Sequence, residues 1–122
     1  MKYTRIYADK EGESHFIDVE IELESVEFAP PAPPVNLSSF TLATQYAFCV
    51  FPSGWYGDWH PTPKKQTFLF LSGEMEVRVG DGEERRFGAG SIVLVEDTTG
   101  KGHVSRVVSS TDVVTAVVQL PS

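Results

Sequence analysis

Apolar and polar residues alternate with period two along most of the chain, the pattern of strands that bury one face. Tyr3 to Ala8 alternates and ends at the turn Asp9-Lys10-Glu11-Gly12. From His15 to Leu23, Ile17, Val19, Ile21 and Leu23 fall on one face and Asp18, Glu20 and Glu22 on the other, with Phe16 out of step. A carboxylate at every second position reads as a solvated face that also discourages edge pairing.

Pro30-Pro31-Ala32-Pro33-Pro34 has no ladder donors and is expected to be an extended surface connector. Beyond it, Phe40 to Phe51 reads as one or two strands, with Tyr46, Phe48 and Val50 on one face and Gln45, Ala47 and Cys49 on the other. Thr67 to Leu71 and Ser91 to Val95 are apolar on both faces, which suits strands between two layers. Gly80-Asp81-Gly82 marks a hairpin between Glu74–Val79 and Glu83–Phe87. Glu96 to Gly102 reads as a polar, flexible loop, and His103–Val107 and Val113–Leu120 as closing strands. No helical period of 3.6 emerges, and nine or ten strands joined by Gly and Pro turns predict an all-β sandwich or barrel.

Within that barrel, Asp58, His60 and Thr62 should share a face of the strand that follows Gly54, with Trp59 and Pro61 on the other. A face turned inwards would set the three polar groups on a cavity floor. If Gln66 faces the cavity, Phe68 and Phe70 do too. The aromatic group Trp55, Tyr56 and Trp59 is expected mainly to pack.

The spacing of these residues resembles the cupin family. Gly54 is followed after five residues by His60, then Thr62 and Gln66, and six residues later by Gly73, in the register of the first cupin motif. Gly90, Thr98, Gly100, His103 and Val107 follow the second motif, so the resemblance spans residues 45 to 120. It implies a double-stranded β-helix, a jelly-roll barrel with little or no helix. The chain then reads as one domain over 1–122, with 1–35 supplying N-terminal strands and the connector and 45–120 the barrel core.

The resemblance further implies that His60 and His103 meet and, with Gln66, occupy ligand positions for a divalent iron, manganese, nickel or zinc ion. Thr62 stands where a third histidine would be. Two imidazoles and an amide oxygen lack the anionic ligand of the two-His-one-carboxylate arrangement. Asp58 is the candidate to supply it, directly or through water, or as a hydrogen-bond partner of His60. In the second case the Asp58–His60 pair is a metal-free general base, because a neighbouring carboxylate fixes the tautomer of the ring. The functions implied are a metal-dependent dioxygenase or an isomerase acting on a small molecule, with Asp58 and His60 as catalytic candidates, or a non-catalytic ligand-binding module. Family members commonly pair as homodimers through sheet edges, and the N-terminal strand is the candidate edge here.

Charge and cysteine content narrow the partners. A formal charge of -7 leaves no electrostatic footprint for nucleic acid or anionic membranes. The single cysteine, Cys49, precludes an intrachain disulfide and, between Phe48 and Val50, reads as a core residue. With neither a signal-peptide core after Met1 nor a long apolar run, a soluble, cytoplasmic protein is expected. Gly100-Lys101-Gly102 lacks phosphate-loop spacing, and His15 lies outside both motifs.

Overall fold

The structure is a computed structural model that describes residues 1–122. It is all β, as the alternation predicts. In chain order the strands are β1 (Lys2–Ala8), β2 (Ser14–Glu20), β3 (Glu24–Val26), β4 (Val35–Leu37), β5 (Gln45–Phe51) and β6 (Tyr56–His60). There follow β7 (Gln66–Ser72), β8 (Met75–Arg78), β9 (Glu84–Phe87), β10 (Ile92–Val95), β11 (His103–Val107) and β12 (Val113–Gln119). No helix is long and apolar enough to cross a membrane.

Two sheets face one another, as in a jelly roll. The larger runs β2-β1-β10-β7-β12-β5 and the smaller β6-β11-β8-β9. β1 lies parallel to β10, and the other pairings within both sheets are antiparallel. Because side chains alternate, the register fixes which residues point inwards. Ile6 sits opposite Val95, and Val93 opposite Phe68. From the smaller sheet Met75, Val77 and Val107 close the same core. Val79 and Val113 are wholly buried, each worth roughly 1.5–3 kcal/mol relative to exposure.

Three local expectations change. On β2 the inward residues are Ser14 and Phe16, while Ile17 is exposed. The out-of-step Phe16 sets the phase because it packs edge-on against Phe87 and beneath the Arg85 guanidinium, so the Ile17, Val19, Ile21 and Leu23 row does not form the buried face. The proline run is not a plain connector but the turn of a short ladder, in which Ser25 pairs with Asn36. Only 45–51 of the segment from Phe40 becomes a strand, and Ser38, Thr41 and Ala43 from the stretch before it line one surface groove with Leu69, Leu94 and Val118 of the larger sheet. Cys49 faces inwards and is half-buried, and burial pushes its thiol up.

Candidate functional site

β6 and β11 are neighbours, and His60 lies directly opposite His103. Their ring centroids are 4.7 Å apart at 56°. Two residues that are remote in sequence therefore meet at one end of a cavity of about 160 Å³ between the sheets. Its walls include Phe51, Trp55, Phe68, Phe70, Met75 and Phe87. The polar lining consists of His60, Thr62, Gln66 and His103, and no Asp, Glu, Lys or Arg faces the space.

Asp58 is the main correction. It is exposed and does not line the cavity. The pairing shifts between His103 and Ser105, so three steps along β6 from His60 to Gly57 span two along β11. A β-bulge at Asp58-Trp59 reverses the alternation, and Gly57 and His60 share the inward side while Asp58 turns out. Its carboxylate accepts the Trp59 backbone N–H at 2.8 Å. What His60 receives from Asp58 is the backbone oxygen, 2.6 Å from its Nδ1. The inward side at Gly57 is filled by the Trp55 ring, 2.4 Å from where a Cβ would stand.

His103 has the carboxylate partner that His60 lacks. Its Nδ1 lies 2.6 Å from Asp97 Oδ2, and Asp97 has no exposed surface. The loop expected to be flexible is instead pinned on several sides. The Asp97 backbone oxygen accepts the Thr62 N–H at 3.1 Å, and Glu96 N–H donates to Ile6. The Glu96 carboxylate pairs with Arg5 and Lys65. Burial pushes the Glu96 carboxyl up, but those cations more than offset it and hold it below its usual range. Gly102, at φ +78°, presses so close that a Cβ would come within 1.9 Å of the His60 oxygen, so this turn requires glycine. Asp97 Oδ1 has no partner within the chain.

These partners decide the tautomers. A carbonyl and a carboxylate oxygen can only accept, so Nδ1 carries the proton in both rings. When neutral, each ring then offers Nε2 as an acceptor, and neither Nε2 has a hydrogen-bond partner in the chain. Gln66 reaches the same end of the cavity but is otherwise engaged. Its Oε1 accepts from Gln119 Nε2 at 3.0 Å, and its Nε2 donates to Thr62 Oγ1 at 3.4 Å. Thr62 in turn donates to the Lys64 oxygen. Thr62, Phe68 and Phe70 also line the cavity. Lys101 stacks over the Trp59 ring at 4.1 Å, outside it.

Sequence reasoning passed over Asp97, placed in a loop. Its signal is an Asp six positions before a His across two turn glycines, Gly100 and Gly102, which fold the segment back on itself.

Comparison with known proteins settles the family. The model of the EutQ-like cupin domain matches residues 43–118. The chain is a EutQ-like cupin.

No curated protein matches this cupin. Among solved structures it is similar to a Cupin 2 conserved barrel domain protein from Salinispora arenicola, at 16% identity and TM-score 0.52, over 84% of this chain and 76% of that one. It is also similar to the Cnp3 cupin domain of Schizosaccharomyces pombe, at 12% identity and TM-score 0.51, over 98% and 84%. At such identities the likeness concerns the fold, and the cupin's chemistry has to be argued from its own residues. Family and cavity together support a small-molecule-binding protein.

Proposed function

We propose that this cupin binds a small, uncharged, mainly apolar molecule by one hydrogen-bond donor, a hydroxyl or amine, seated between Nε2 of His60 and Nε2 of His103. The observation that carries the reading is that both Nδ1 atoms are committed to acceptors, so the cavity presents two acceptor nitrogens in a space whose other polar groups, on Thr62 and Gln66, are hydrogen-bonded within the chain. A volume near 160 Å³ suits a guest of about benzene size, since an apolar cavity of roughly 150 Å³ holds benzene. A carboxylate guest would shed its hydration facing two lone pairs and no cation, which is costly.

The chemistry within reach is proton transfer. His103 Nε2 can take the donor proton of the guest, and the ring then carries a charge that buried Asp97 balances through Nδ1–H. An isomerase would have to return that proton to another atom of the guest, and His60, whose Nε2 carries no proton, can only accept a hydrogen bond from it. Without a turnover partner the same arrangement is a binding module.

A divalent ion is the second reading, favoured by the same two unprotonated nitrogens. The donor set does not fit a resident catalytic centre of the kind the resemblance implies. Gln66 Oε1 is taken by Gln119, Thr62 replaces an imidazole, and no carboxylate lines the space.

Calorimetric titration with phenol, anisole and benzoate at pH 7.5 tests the proposal. Phenol is expected to bind with Kd on the order of 10⁻⁴ to 10⁻³ M. Anisole, with the ring but no donor, should bind at least about tenfold more weakly, the loss of one good hydrogen bond. Benzoate binding more tightly than phenol, or anisole matching it, would overturn the assignment.

A further inference from the structure

Trp55, expected from the sequence mainly to pack, stands where it decides how long a guest the cavity takes. Its backbone is pinned from two sides, since its N–H donates to the Pro52 oxygen and its own oxygen accepts the Val107 N–H, both at 2.9 Å. The side chain folds back over Gly57, where three carbons of its six-membered ring crowd the place of a Cβ. Gly57 is not among the glycines with positive φ, so glycine is needed there for room and not for conformation. Gly57 shares the inward side of β6 with His60, and it pairs with the buried Ser105 as His60 pairs with His103.

The ring therefore lies along the same inner face as the two imidazoles. From His103 to Ser105 is two steps of strand, about 7 Å, and that is the run of floor between the histidine pair and the Trp55 ring. Across the gap the ring meets Phe51 of β5, edge-on at 4.9 Å and 62°, and Phe51 in turn lies 6.1 Å from Phe68 of β7. Trp55 from one sheet and Phe51 from the other close the space between the sheets at the end away from the histidines. All three rings line the cavity. Tyr56, next in the chain, turns the other way, into a groove on the outer face shared with Trp59 and Arg106.

We propose that Trp55, locked on Gly57, sets the size limit of the guest. With its donor on the histidine pair, a guest of one six-membered ring reaches the indole, and a second fused ring does not fit. The inference rests on the small-molecule reading above and adds the class of guest, a single ring as against a bicyclic one. Interiors are close-packed, so an extra ring enters only by displacing side chains. Here the side chain to be displaced has Gly57 directly behind it and Phe51 beside it. Removing the indole lengthens the same cavity and leaves the two acceptor nitrogens where they are.

Calorimetric titration of the full chain with phenol and 2-naphthol tests this. The wild-type protein is expected to prefer phenol at least about tenfold, because the second ring overpacks the wall. Trp55→Ala should reverse the order, with 2-naphthol at least about tenfold the tighter, since the vacated space buries the second ring. Trp55→Phe should move the ratio the same way by less, and it carries the test if Trp55→Ala does not fold. Gly57→Ala should weaken phenol binding at least about threefold by pushing the indole inwards, yet change nothing once Trp55 is alanine, because the clash is then gone. Tyr56→Ala, on the outer face, should leave both affinities as in wild type. Benzene and naphthalene, which lack the donor, separate this proposal from the reading it rests on. If phenol fails to bind while naphthalene gains on benzene in Trp55→Ala, the donor reading falls and the size limit stands. A wild-type protein that takes 2-naphthol as readily as phenol, a ratio unmoved by both Trp55 variants, or a Gly57→Ala effect that persists without the indole would each overturn the size limit.

Discussion

His103 and His15 each reach a carboxylate through Nδ1, at 2.6 and 2.8 Å, yet only one of them keeps a nitrogen for chemistry. His103 has Asp97 on one side and the cavity on the other. His15 has Asp81 on Nδ1 and Asp9 on Nε2, the latter at 2.7 Å, with Glu13 Oε2 3.7 Å away. Two carboxylates ask for two N–H donors, so His15 is held as an imidazolium. Its hydrogen bonds to Asp9 and then Asp81 raise its pKa above the ordinary histidine value. Asp9, Glu13 and His15 bring their ligand atoms within 4.8 Å of one another, but a ring protonated on both sides has no lone pair for a metal. The cluster is a clamp between the β1–β2 turn and the β8–β9 hairpin. A histidine's role here follows from the nitrogen left unbonded, and its distance from acidic groups does not predict it.

The strongest way to break the contrast is to remove the carboxylate that makes His103 different. Asp97→Ala leaves Nδ1–H buried without a partner, and is expected to cost about 2–3 kcal/mol in urea denaturation at pH 7. It should also weaken phenol binding, because the ring is free to turn Nε2–H towards the guest. An equal loss of stability with unchanged phenol affinity would show Asp97 to be structural only.

A smaller change sharpens the difference from the other side, by making the cavity pair more like a metal centre. Thr62 is buried beside His60 and Gln66. Thr62→His adds the imidazole that the motif spacing calls for, and should raise zinc affinity at least about tenfold over wild type in a chelator competition, consistent with one added nitrogen ligand. A wild-type protein that already holds one equivalent of zinc below micromolar concentration would replace the neutral-guest reading with the metal reading.

Much of this was legible in the chain, and the misses have physical causes. Alternation located the barrel strands, since half-buried strands leave a period-two trace, and motif spacing brought His60 and His103 together across 43 positions. The inward phase of β6 was not legible. A bulge leaves no mark on apolar and polar order, so Asp58 was carried along with His60. Asp97 was hidden for a related reason. Loop residues have no periodicity, and only the fold shows that the turn containing Gly100 and Gly102 presses Asp97 under His103. The proline run concealed a ladder because β3 and β4 are three residues each, too short to alternate recognisably.

The gentlest test concerns the clamp and depends on pH. The folded pKa of His15 lies above its unfolded value of 6.5, so its stabilising effect is fully present below that pH and is lost as pH rises through the raised value. Asp9 and Asp81 are shifted the other way, Asp9 chiefly by His15 and Asp81 chiefly by the Glu83 N–H. Their part is present above the unfolded carboxylate value of 3.8 and fades as acid lowers the pH through their folded values. The clamp is therefore strongest in mildly acidic solution. Its partners are exposed to solvent, so the effect is small. His15→Gln should lower Tm by roughly 2 °C at pH 5.5, with the difference shrinking as pH is raised to 9. A His15→Gln penalty that grows with pH would mean the ring is held neutral and would remove the contrast with His103.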